Sequence, residues 1–177
     1  MVILLSSDLA LLKTIVLENS VVKGYHAYQI KPPITDPPTK LRVDREYTNI
    51  VDRDACLVWL PELEEFDEKL HDVITDHQRH LKLSDIAGLP IGHAPRVLAG
   101  FFRTVLDEDG SVYAVATGEP CQSFPPWPAP EDKGGGAVIP CSYYITSTPS
   151  KFEYNLSLLS STLEKMAEGS VMKVSCM

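Results

Sequence analysis

The spacing of apolar residues changes character several times along the chain. After Ser7, the run DLALLKTIVLEN places apolar residues at helix-like intervals behind a plausible serine N-cap, which predicts a helix over about residues 8–18. Val21 to Gln29 is rich in β-branched and aromatic residues and predicts a strand. KPPITDPPT (31–39) is too proline-rich for either element and forms a stiff loop. Leu41 to Arg45 and the apolar run Ala55 to Leu60 predict two short strands, separated by a polar turn containing Asn49 and Asp52. Leu63, Phe66, Leu70, Val73, Ile74 and His77 then fall at helical steps, which predicts an acidic helix with its charged face in water.

Pro95 at a first helical turn and Gly110 beyond its end predict a helix over about 95–107. Strands follow at Ser111–Thr117 and Ala137–Ile145, the latter containing Pro140, which suggests an edge or a bulge. Between them lies a long loop, 119–136, with five prolines and the run Gly134 to Gly136. Ser150-Lys-Phe-Glu153 is a capping-box pattern that opens a C-terminal helix, and the closing VMKVSCM is short enough to add a strand or fray. Five or six short strands with irregularly placed helices suit a small decorated barrel better than a doubly wound sheet.

Composition narrows the chemistry. The chain has 177 residues, long enough for one domain with its own core and no staples. No apolar run approaches the ~20 residues of a membrane helix, and no secretory signal pattern is visible at the N-terminus, so no membrane partner is expected. Cys56, Cys121, Cys141 and Cys176 are scattered without a C-x-x-C pair, and an intracellular, reducing compartment is the expectation, nuclear and cytoplasmic both remaining open. A net charge of −8 argues against binding driven by bulk electrostatics. Much of the acidity sits in residues 61–80, where seven acids face only Lys69 and Arg79.

No nucleophile elbow, phosphate-cradling glycine loop or H-E-x-x-H motif is present. Gly134 to Gly136 precede a strand rather than a helix and are linker. Asp72, Asp76, His77 and His80 are of metal-ligating type, but their spacing matches no known ligand pattern, and a solvated acidic face is the simpler reading. Cys56 and Cys141 lie in apolar strands and read as core. Cys121 lies in a loop, with no base supplied by the sequence. The expectation is no enzyme, no metal and no cofactor.

Three segments in order are more specific: VVKGYHAYQ (21–29), REYTNIVDRDACLV (45–58) and IGHAPRVLAG (91–100). The middle segment fits the pattern R-[DE]-x-x-N-x-x-D-x-x-A-x-x-V, and the last fits [IV]-G-[HY]-x-P-x-x-L-A. With GGGAVIPCSYYI (134–145) as a closing strand, the chain resembles the HIRAN domain family over about residues 20–147. It is similar to animal HIRAN-like proteins that open with a G-[YF]-H-x-Y strand.

The resemblance implies a mainly β, α+β fold: a small OB-like β-barrel of five to six strands. An N-terminal helical extension would cover 1–20, the barrel 21–147 with 61–88 as an acidic helical insertion, and a C-terminal helix and tail 148–177. It also implies a non-catalytic module that recognises single-stranded DNA at a free 3′ end, through Tyr25, His26, Tyr28, Asp52 and His93. Asp52 would take the hydroxyl-binding position, His93 the position near the terminal phosphate, and Tyr28 a stacking position, with His26 where the family carries a basic residue. A base stacked on an aromatic ring contributes ~1–3 kcal/mol. Ala27 and Ala137 depart from the family, which has aromatic residues there. Turn chemistry gives Asn49 and Asp52 another reading, as Asx residues holding a loop, and His93 equally reads as a structural histidine. Two further functional readings stand beside the DNA-end reading. One is a protein-interaction module that has lost the DNA pocket and uses residues 61–80, the proline-rich loops and Trp127. The other is an accessory domain tied to hydrolase or helicase systems.

Overall fold

The computed structural model describes residues 11–123, 136–166 and 171–177. Ten strands carry the architecture among these residues. They are β1 (Lys13–Val22), β2 (Leu41–Arg45), β3 (Cys56–Trp59), β4 (Ile74–Asp76), β5 (Leu81–Lys82), β6 (Pro90–His93), β7 (Ser111–Ala116), β8 (Cys121–Gln122), β9 (Ala137–Ser147) and β10 (Lys173–Cys176). The helices are α1 (Tyr25–Tyr28), α2 (Leu83–Ile86), α3 (Arg96–Asp107) and α4 (Pro149–Glu164). The main sheet is antiparallel in the order β10-β1-β9-β7-β2-β3-β6, with β8 beside β9; β4 and β5 form a separate hairpin.

Period-2 alternation sets the inner face. Ile15 and Leu17 on β1, Leu41 and Val43 on β2, Val112 and Ala114 on β7, and Tyr143 and Ile145 on β9 all point into one core. Helix α3 fills that core with Leu98, Phe101, Phe102 and Val105, and the Phe102 and Tyr143 rings meet at 4.9 Å. Tyr143 is fully buried, so its hydroxyl requires a partner, and it donates to the Val21 carbonyl at 2.8 Å.

The sheet does not close along its length. Its two sides meet at one residue pair, where Lys23, just past β1, exchanges both backbone hydrogen bonds with His93 at the end of β6, each 2.8 Å long. Gly92 makes this approach possible. A Cβ there would overlap the Lys23 carbonyl oxygen and lie 2.7 Å from Val22 Cγ1.

Several expectations hold. The strands at 41–45, 55–60, 111–117 and 137–145 correspond to β2, β3, β7 and β9, and the 95–107 helix to α3. The C-terminal helix forms as α4, capped at Thr148 with Pro149 in the first turn rather than at Ser150. The last residues form β10 on β1.

Others are corrected. Residues 13–18 are strand, not helix; the expected helix's first residues, 8–10, lie outside the described ones. The run KTIVLEN satisfies both periods, and pairing with β9 on one side and β10 on the other decides it. The boundary expected at residue 20 therefore falls inside β1. The strand expected over 21–29 stops at Val22, because Gly24 adopts φ +88° and starts the one-turn helix α1.

The acidic helix is absent. Residues 63–65 and 68–70 form two 3-10 turns, followed by the β4–β5 hairpin and α2. Its acids cap backbone instead of lining a helix: Glu65 accepts from the Glu62 amide, Asp67 from Lys69, and Asp76 from Gln78 and Arg79. Pro140 lies on a central strand, where β9 changes neighbours from β7 to β8, and the irregular register belongs to β1, between Leu17 and Ser20. Trp127, Gly134 and Gly135 lie outside the described residues. Among those residues no helix is long and apolar enough to cross a membrane.

Candidate functional site

The Lys23–His93 joint brings α1 against the end of β6. The Tyr28 and His93 rings lie 5.9 Å apart, tilted by 60°. An ideal Cβ on Gly24 would sit 3.8 Å from the Tyr28 ring and 3.9 Å from His93 Nδ1, so this glycine forms the floor between them. His93 Nε2 donates to Glu46 Oε2 at 2.7 Å. That bond fixes the ring and turns Nδ1 toward Gly24 and Tyr28. A neutral imidazole held this way accepts at Nδ1; a protonated one donates there.

Glu46 is the hub. The same oxygen accepts from Asn49 Nδ2 at 2.8 Å. Burial pushes the Glu46 carboxyl up, but the Asn49 and His93 hydrogen bonds outweigh it and leave its pKa below the usual value. Burial, then the Glu46 charge, raises the Tyr28 phenol.

Asn49 works in both directions. While its amide nitrogen donates to Glu46, its carbonyl oxygen accepts the Val51 and Asp52 amides at 3.0 and 2.9 Å. Asp52 Oδ1 accepts the Asp54 amide at 2.9 Å, and Oδ2 faces Arg96 Nε at 3.7 Å. Oδ1 thus holds the turn, as the Asx reading of Asp52 expects, while Oδ2 is turned to Arg96.

Helix α3 ties this loop down from one face. Arg96, Arg103 and Asp107 reach Asp52, Asp54 (2.6 Å) and Arg45 (2.9 Å), at helix positions spaced seven and four apart. Each pair is partly exposed and contributes roughly 0–1 kcal/mol. Their combined effect is positional: both ends of the 45–54 loop are referenced to one rigid helix. Arg45 also donates to the Arg53 carbonyl across the loop's neck.

Of the five residues expected, Tyr28, Asp52 and His93 belong to this connected cluster. Tyr25 packs against the core instead, and His26 is exposed on α1. Glu46, Asn49 and Arg96 complete the cluster, and sequence reasoning assigned none of them a ligand role. All three lie inside the quoted motifs, but the signal that selects Glu46 is its contact with His93, forty-seven positions away. Among the described residues no group of three or more His, Cys, Asp or Glu side chains is arranged to hold a metal ion.

No family model matches the sequence, and no curated protein matches it. Among solved structures the chain is similar to the crystal structure of the HIRAN domain of human HLTF, at 14% identity, covering 86% of this chain and 91% of that one. The TM-score is 0.44, a distant resemblance to a domain of the family that the three sequence segments resemble.

Proposed function

We propose that this chain is a non-catalytic module that binds single-stranded DNA by a free 3′ end. The observation that supports the reading is the Tyr28–His93–Glu46–Asn49 chain of contacts, which ends on the backbone amide of Asp52. In this reading the terminal base stacks on Tyr28. Asp52 Oδ2 accepts the 3′-hydroxyl. His93 Nδ1 and Arg96, whose side chain is 83% exposed, meet the adjoining phosphate. A 3′-phosphate brings like charge to Asp52 and is rejected. In this reading His26, exposed on α1, meets a further phosphate, and Tyr25 packs α1 against the core. With so few cations engaged and a net charge of −8, affinity is modest and falls with salt.

The test is fluorescence anisotropy with 5′-labelled oligothymidylates ending in 3′-hydroxyl or 3′-phosphate. Tighter binding of the hydroxyl form, with the preference abolished in Asp52→Ala, supports the proposal. Equal and negligible binding of both at low salt removes it.

An alternative reading, a protein-docking surface on residues 61–80, is favoured by Glu62, Glu64, Glu65, Asp67, Glu68 and Asp72 all lying exposed on this segment. Loss of a protein partner on charge reversal of Glu64, Glu65 and Glu68, with oligonucleotide binding unchanged, separates the two.

A further inference from the structure

The outer face of the main sheet carries a row of side chains that neither the fold nor the end pocket uses. Trp59 on β3 lies opposite Arg42 on β2, Arg42 opposite Tyr113 on β7, and Tyr113 opposite Tyr144 on β9. Directly opposed positions on one face of a sheet are neighbours, and the first and last of these pairs are in ring contact. The Arg42 guanidinium sits 5.8 Å from the Trp59 ring centre, and the Tyr113 and Tyr144 rings stack at 4.8 Å with 3° between their planes. The Lys40 ammonium lies 5.0 Å from the Tyr113 ring. Trp59, Tyr113 and Tyr144 are half-buried, while Lys40 and Arg42 are exposed.

This row runs to the 45–54 loop that carries the end-binding cluster. A hollow lined by Arg42, Trp59, Arg45 and Tyr47 adjoins another lined by Arg45, Tyr47, Asn49 and Arg53. Arg45 and Tyr47 are common to both, with the guanidinium 4.7 Å from the ring centre of Tyr47, itself 80% exposed. Asn49 donates to Glu46, the carboxylate that holds His93. Along this path four cations, Lys40, Arg42, Arg45 and Arg53, stand against three acids, Asp44, Glu46 and Asp107, with Arg42 paired to Asp44 and Arg45 to Asp107, although the whole chain is acidic.

We infer that this cation–aromatic row is the track along which a single strand of nucleic acid runs away from the pocket. Rings that stack bases alternate with cations that neutralise phosphates, the chemistry of sequence-tolerant strand binding. Charge complementarity and continuity with the 45–54 loop select this occupant over an uncharged peptide. The inference takes the strand's polarity, and only that, from the end-binding reading.

The experiment uses the full chain and 5′-labelled dT3, dT6 and dT10, each with a 3′-hydroxyl and a 3′-phosphate. The expected result is a gain of about tenfold or more in affinity from dT3 to dT10. The surface variant Lys40→Ala/Arg42→Ala loses that gain and leaves dT3 binding unchanged. No gain with length, or a gain the variant does not touch, overturns the track; a surviving 3′-hydroxyl preference on dT3 then shows the end pocket standing without it. A gain that the variant abolishes, with no 3′-end preference, leaves the track standing and removes the end pocket. Labelled decaproline binding that the variant abolishes, with no oligonucleotide binding, reassigns the face to peptide and overturns the proposal. A crosslink map from 4-thiothymidine in dT10 gives a readout without mutation: adducts within 40–47 and 56–59 support the track, and adducts confined elsewhere refute it.

Discussion

Substituting Gly92→Ala perturbs the joint on which the site depends. The added methyl would overlap the Lys23 carbonyl oxygen and press Val22 Cγ1 at 2.7 Å, well inside the ordinary contact range. Val22 is fully buried and Lys23 is held by its backbone, so neither moves alone. The relaxed structure must separate β6 from the end of β1, which breaks the two Lys23–His93 hydrogen bonds. Each contributes about 0.5–1.5 kcal/mol net. Overpacking around Val22 adds about 1–3 kcal/mol. The expected loss is therefore about 2–6 kcal/mol, a large share of the roughly 5–15 kcal/mol typical of a domain. At this chain length that corresponds to a fall in Tm of roughly 4–24 °C. Urea denaturation followed by circular dichroism measures the loss, and oligonucleotide anisotropy at 10 °C measures the site. A loss under 1 kcal/mol with binding intact refutes the reasoning, because the joint would then neither hold the sheet nor place His93.

Further outcomes follow from other contacts. Glu46 has a lowered folded-state pKa, so its contribution is present above its ordinary value of 4.5 and is lost as the pH falls below it; Glu46→Gln should cost more at pH 7 than at pH 3, and denaturation at both values tests the sign. Tyr143→Phe leaves the Val21 carbonyl unsatisfied in a dry core and should cost about 1–3 kcal/mol by urea titration, with oligonucleotide binding unchanged. Burial pushes the Cys56 thiol up to about 12 and the Cys141 thiol higher still, whereas Cys121 and Cys176 are exposed; a thiol reagent at pH 8 should label two cysteines in the native protein and four in denaturant.

What is legible in the sequence follows the range of the forces involved. Helix α3 is announced by its own proline start and apolar stripe, and β7 and β9 by alternation dense enough to leave one reading. β1 misleads because its residues suit either period, and only β9 and β10, far away in sequence, decide between them. The acidic segment misleads for a different reason: Leu63, Phe66 and Leu70 keep a helical rhythm, while neighbouring carboxylates take up the amides that a continuous helix would need. At the site, motif order is enough to name Asp52 and His93. It does not reach the residues joining them, since Glu46 meets His93 through folding alone, and Asn49, readable as a turn residue, serves the turn and the cluster together.

The joint at Lys23 and His93 has a dynamic consequence. Two hydrogen bonds hold it, whereas the neighbouring strand pairs run to several residues each, so it opens at a small fraction of the free energy needed to unfold the sheet. An opening there would separate Tyr28 from His93. On the proposed function, apparent affinity would be the affinity of the shut form scaled by its population, and a bound strand end would act as a clasp on the ring of strands. Hydrogen exchange at those two amides, slowed by ligand out of proportion to the rest of the sheet, is where that behaviour would register.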